Sequence, residues 1–128
     1  MELTDKEAFA RRILAIEGLE QGSEEVKIVF ENGDYITQYH RMDCCEWVRV
    51  EQVDGNVEKH IGAMYQGLDE KVLTMDELPP EQLPTSPNGS LTATFYTLKT
   101  SKGYLDWRWV GESNGYYSES VDCKLVKM

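Results

Sequence analysis

Leu91-Thr92-Ala93-Thr94-Phe95-Tyr96-Thr97-Leu98-Lys99-Thr100, then Ser101-Lys102-Gly103, then Tyr104-Leu105-Asp106-Trp107-Arg108-Trp109-Val110: the reading of this run decides the fold class. Leu91, Ala93 and Phe95 share one face, and Thr92, Thr94 and Tyr96 share the other. A period of two is that of a strand, because successive side chains leave a pleated backbone on opposite sides. The returning segment places Leu105, Trp107 and Trp109 inward, with Asp106 and Arg108 outward. Ser101-Lys102-Gly103 turns the chain between them, so the run reads as an antiparallel hairpin.

Downstream lies Arg108-Trp109-Val110-Gly111-Glu112-Ser113-Asn114-Gly115-Tyr116-Tyr117-Ser118-Glu119-Ser120-Val121. Asn114-Gly115 is a strong turn dipeptide, since both central positions of a type I′ turn need positive φ. The adjacent Tyr116 and Tyr117 would then point to opposite sides. A last strand is expected over Val121 to Val126.

Upstream, Thr4-Asp5-Lys6-Glu7 fits a capping box ahead of a short helix to about Arg11. Arg12 to Leu19 reads as a strand bounded by Gly18 and Gly22, and Val26 to Phe30 as another. Asn32-Gly33 turns the chain into Tyr35 to His40. Glu46 to Val53 alternates, with Val48 and Val50 opposite Trp47, Arg49 and Glu51. Val57 to Ile61 suits one helical turn closed by Gly62. Ala63 to Tyr65 is expected to be extended, and Val72 to Met75 to be a short strand. All four prolines fall in residues 76–90, a proline-rich loop that excludes helix and central strand. Some seven strands and one or two short helices make a mainly β or α+β fold with an antiparallel meander. It is a single domain over residues 1–128, with residues 1–11 as an N-terminal short helix or arm.

At 128 residues the chain is long enough to bury a core without staples. No apolar run approaches the roughly 18 residues of a membrane span, and the N-terminus has no secretory pattern. Three cysteines, two of them adjacent, make a poor disulfide framework. A cytoplasmic protein is therefore expected. The net charge of −10 repels nucleic acid and anionic membranes. It aids solubility, and it suits a basic protein surface as partner.

Several residues bear chemistry. His40, Cys44 and Cys45 are metal-ligand types, yet adjacent cysteines poorly serve one tetrahedral ion, and no metal or cofactor is expected. A thiol nucleophile with His40 as base and Asp43 or Glu46 as orienting group is conceivable on residue type. The surrounding carboxylates would raise the thiol pKa, which opposes it. The alternative reading is structural: one cysteine packs inward while its neighbour faces the surface. Ser113 to Ser118 reads as a ligand rim, with tyrosine rings to stack on a sugar or base and Asn114 and the glycine backbone to hydrogen bond. Arg108 supplies a fixed charge for a phosphate or carboxylate. The pocket expected on this reading is His40, Arg108, Asn114 and Tyr116. The plain alternative is a turn whose tyrosines pack.

The chain resembles a family of uncharacterised small phage and prophage proteins. The resemblance is carried by His40 with Asp43-Cys44-Cys45-Glu46; by Thr92 with Thr94-Phe95-Tyr96; by Thr100 with Lys102-Gly103; and by Arg108-Trp109, Gly111, Ser113, Asn114, Gly115, Tyr116, Tyr117 and Ser118. It implies a phage origin and a bacterial host cell, and supplies no activity and no catalytic residue. Three functions follow as expectations. The first is a non-enzymatic protein that binds and modulates a basic host protein. The second is a small polar ligand, nucleotide-like or sugar-like, in the pocket named above. The third is a thiol or metal function at Cys44 and Cys45.

Overall fold

The computed structural model describes residues 11–42, 45–74, 77, 90–113 and 118–127. Eight strands are found among them: β1 (Ile13–Glu17), β2 (Glu25–Phe30), β3 (Tyr35–Tyr39), β4 (Trp47–Asp54), β5 (Tyr65–Thr74), β6 (Ser90–Thr100), β7 (Gly103–Ser113) and β8 (Asp122–Val126). A 3-10 turn, Val57–His60, lies between β4 and β5. The expected mainly β class is what the chain adopts. The helix expected before Arg11, the Asn114-Gly115 turn and nearly all of the proline-rich loop lie outside the described residues. No helix among the described residues is long and apolar enough to cross a membrane.

The strands form two antiparallel sheets, ordered β1-β2-β3-β8 and β4-β7-β6-β5. The meander is thus interrupted twice. After β3 the chain crosses to the second sheet, and after β7 it returns to lay β8 beside β3. The inward faces share one apolar cluster that includes Val26, Ile28, Phe30 and Ile36 from the first sheet and Val48, Val50, Leu98, Leu105, Trp107 and Trp109 from the second. The expected inward and outward residues of β7 hold, and so do those of β4.

The β6–β7 hairpin pairs without a break from Ser90 opposite Ser113 to Thr100 opposite Gly103. It is the longest unit, and the opening alternation reported it. On β6 the core side is the threonine side: Thr94, Tyr96, Leu98 and Thr100 are buried there. Leu91 and Ala93 instead join Val110, Leu73 and Phe95 in a small second cluster. The expected short strand at residue 72 is part of a ten-residue strand, β5, which also absorbs Tyr65. Its Gly67 and its charged run Asp69-Glu70-Lys71 hide the pattern. An edge strand tolerates charges on its open side, and β6 supplies the hydrogen-bonding template.

Two edge strands are stitched by loops. On β4, the Val50 N–H donates to the Ser23 carbonyl and its carbonyl accepts from Gly22 N–H, each at 2.7 Å. On β1, Ile13 N–H donates to the Ala63 carbonyl at 2.9 Å and its own carbonyl accepts from Gly62 at 2.7 Å. Each pair satisfies peptide groups that an edge would leave open, and each ties one sheet to the other.

A polar link crosses the core. Gln38 on β3 is fully buried. Its Oε1 accepts from Trp107 Nε1 at 2.9 Å and from Trp109 Nε1 at 3.1 Å, while its Nε2 lies 3.5 Å from Cys123 Sγ. An indole N–H has donor capacity only, so one amide oxygen here serves both rings.

Candidate functional site

The two sequence signatures, one around His40 and one after Arg108, meet in space. His40 follows β3, and its Nδ1 lies 2.7 Å from the Ser120 carbonyl, in the segment that leads into β8. A carbonyl only accepts, so Nδ1 carries the proton and donates. The other nitrogen, Nε2, lies 2.8 Å from Glu46 Oε2, and both side chains are almost wholly buried. The triplet ties the start of β4 to the segment before β8.

Next to it sits Glu119, 8% exposed. Its carboxylate accepts from Thr92 Oγ1 at 2.8 Å, from Ser90 Oγ at 3.3 Å and from Ser113 Oγ. Thr92 and Ser90 come from β6 and Ser113 from β7, so paired strands supply all three hydroxyls. The approach depends on Gly111. A Cβ there would lie 2.7 Å from both the Cβ and the backbone oxygen of Glu119, closer than carbon contacts allow.

Beside this carboxylate opens a cleft of about 400 Å³ lined by Glu70, Thr92, Thr94, Ser118, Ser120 and Asp122, among others. Glu70 is held by Tyr96, whose hydroxyl donates to Oε2 at 2.6 Å. Burial, and then that bond, push the Tyr96 hydroxyl above its ordinary range, so it remains a donor. The cleft thus presents carboxylates on a wall of hydroxyls. That chemistry suits a cation or a hydrogen-bond donor.

The sequence-based pocket distributes as follows. His40 lies in the triplet described. Arg108 is on β7, where it donates to Gln52 Oε1 at 3.0 Å, pairs with Glu51 and lies 5.9 Å from the Phe95 ring centre. Asn114 and Tyr116 lie outside the described residues, as do Asp43, Cys44, Gly115 and Tyr117. Ser113 and Ser118 are described: the first donates to Glu119, and the second lies 2.8 Å from Ser120 Oγ. Sequence reasoning took Thr92 and Gly111 only as carriers of the resemblance, and it passed over Glu119 and the need for glycine at 111. Gly111 inside an alternating strand was the available signal, because such a glycine marks close backbone approach.

The cysteines bear on the expected thiol function, with Cys44 outside the described residues. Cys45 is disulfide-bonded and exposed, so it offers no thiolate. Among the described residues Cys123 is a free thiol. Burial pushes it up to about 12, so it is inert as a nucleophile at neutral pH. The second histidine, His60, is buried with Nδ1 2.7 Å from Thr100 Oγ1. Burial and the neighbouring Lys59 hold its pKa below the ordinary value. Among the described residues no group of three or more His, Cys, Asp or Glu side chains could hold a metal ion.

A family model for a domain of unknown function, DUF7448, matches residues 6–123. The chain belongs to the DUF7448 family. That match spans both signatures, both sheets up to Cys123 and the whole cleft. No curated protein and no solved structure matches the chain.

Proposed function

We propose that this DUF7448 chain is a non-enzymatic binding protein whose acidic cleft receives a basic segment of a partner protein. The partner would be a protein of the bacterial host, in keeping with the phage or prophage origin that the resemblance implies. The carrying observation is the cleft itself: Glu70, Glu119 and Asp122 line one concavity with four hydroxyl-bearing residues, Thr92, Thr94, Ser118 and Ser120. Glu119 is saturated by hydroxyl donors and shapes the wall. Glu70 and Asp122 are exposed and can meet a lysine or arginine. The chain's net charge of −10 steers a basic partner toward it at low ionic strength.

The test uses a fluorescent lysine-rich peptide as probe, measured by anisotropy. Saturable binding that weakens steeply with added salt is expected. Glu70→Gln combined with Asp122→Asn should weaken it at least about tenfold, because charge-assisted contacts dominate. The amide at position 70 still accepts from Tyr96, so the fold is preserved. Binding that the double variant leaves unchanged would reject the cleft as the site.

A further inference from the structure

The outward face of the first sheet carries a second built feature, remote in chemistry from the acidic cleft. Strand register stacks three cross-strand rows on it. Val29, Tyr35 and Val126 form one row; Lys27, Thr37 and Lys124 form the next; Glu25, Tyr39 and Asp122 form the third. These side chains face outward because their neighbours Ile28, Ile36, Gln38 and Cys123 face the core. A shallow concavity of about 320 Å³ is lined by Lys27, Tyr35, Thr37, Tyr39 and Lys124, with Glu25 and Val126 at its ends.

Thr37 lies at the centre. It is only 5% exposed, and its hydroxyl has no hydrogen-bond partner among the described residues. Polar groups that bury without a partner are rare and call for one. A strand does not need threonine here, since valine fills the outward positions 29 and 126 on the neighbouring strands. The lysines on either side are parked on aromatic rings. Lys27 Nζ lies 5.1 Å from the Tyr35 ring centre, and Lys124 Nζ lies 5.3 Å from that of Tyr39. Tyr35 and Tyr39 flank Thr37 along β3, so the two lysines lean away from each other and leave the hydroxyl between them. Neither lysine forms a salt bridge among the described residues.

We propose that this face binds a small amphiphilic anion: a phosphate- or carboxylate-class oxyanion seated on the Thr37 hydroxyl between Lys27 and Lys124, its apolar or planar body laid over Tyr35 and Val126. Two ammonium groups and a hydroxyl are the donor set an oxyanion needs. The backbone rows place the lysines about 10 Å apart across two strand spacings. Their flexible stems let both ammoniums swing inward from the rings. Orientation follows from the outer rows. At the Tyr39 end Glu25 and Asp122 stand with Arg41 beside them, so charge there is mixed, whereas Tyr35 and Val126 offer an apolar shelf at the other. The net charge of −10 excludes an extended polyanion, so the occupant is one small molecule rather than a nucleic acid.

The test is a titration followed in proton–nitrogen correlation spectra, at constant ionic strength, with phenyl phosphate, inorganic phosphate and benzoate in separate arms. Saturable shifts centred on the amides of Lys27, Thr37 and Lys124 are expected, tighter for phenyl phosphate than for inorganic phosphate. Binding of only the phosphates, or only of benzoate, supports the site and names its oxyanion. Thr37→Val should fold with an unchanged or higher melting temperature and bind roughly tenfold more weakly, the value of one charge-assisted hydrogen bond. Lys27→Gln with Lys124→Gln should abolish saturation. No saturable shift with any of the three probes overturns the proposal. So does a Thr37→Val variant that binds as the parent does.

Discussion

On the outer face of the β4-β7-β6-β5 sheet, Arg49 meets Glu112 at 2.8 Å, Lys99 meets Asp69 at 2.8 Å and Arg108 meets Glu51. On the outer face of the β1-β2-β3-β8 sheet, Lys27 and Lys124 rest on tyrosine rings while Glu25 and Asp122 stand one row away. Both faces are antiparallel surfaces with charges at outward positions. They differ in what each cation faces across the strands. On the second sheet a carboxylate lies within reach, and the pair closes. On the first sheet the cross-strand neighbour of each lysine is Thr37; Lys27 rests on the Tyr35 ring, and Lys124 is held by both the ring and the hydroxyl of Tyr39. An ion pair holds its charges against a newcomer. A surface cation–π contact is worth only about 0.5–1 kcal/mol and yields readily to an anion.

The largest effect that can break this comparison lies beneath both faces. Gln38→Leu keeps the volume but leaves the N–H groups of Trp107 and Trp109 buried without an acceptor. A loss of roughly 2–6 kcal/mol is expected in chemical denaturation, about 1–3 for each donor. A loss below 1 kcal/mol would mean that the sheets are not coupled through this amide. Next comes Gly111→Ala, which drives a methyl group into Glu119 and should cost about 1–3 kcal/mol. It should also weaken the lysine-rich peptide, whereas the phenyl phosphate titration on the other face should not move.

Acidity separates the faces from the interior. His60 has its pKa lowered from 6.5 by burial and by Lys59. The unfolded chain therefore takes up a proton first as pH falls. Stability is full above about 6.5, declines as pH falls below that value, and levels off beneath the lowered folded value. His60→Gln should flatten the melting temperature across that window. An unchanged slope would assign the pH dependence to other groups.

The smallest effects sharpen the contrast between the faces. Arg108→Ala should cost about 1 kcal/mol, since its stem also covers Phe95 and its pair is only partly exposed. Lys27→Ala and Lys124→Ala should leave the melting temperature within error while removing anion binding. If either lysine variant destabilises the fold as Arg108→Ala does, the rings are structural clamps and the comparison fails.

Much of the fold was legible because its signal is local. The alternation from Leu91 to Val110 reports the hairpin, and the inward Leu105, Trp107 and Trp109 follow from period alone. β5 was legible only at its ends, because an edge strand with one wet side needs no clean alternation. The cleft was half legible. The His40 and Ser113 segments stood out by residue type, yet their meeting through Ser120 depends on β8 returning to the first sheet.

By itself, then, the sequence determined most of the strands, the inward faces of β4 and β7 and the acidic balance, since these depend on neighbours within a few residues. Tertiary structure alone decided which distant groups became partners. Gln38 serves two indoles, Glu119 gathers three hydroxyls, and Thr37 lies between two lysines, because the sheet order brings β8 beside β3 and the facing sheets bring the β7 indoles onto β3. The reason is physical. Side-chain direction is set by local backbone geometry, whereas cross-strand register and the facing of two sheets are set by the burial of the whole core.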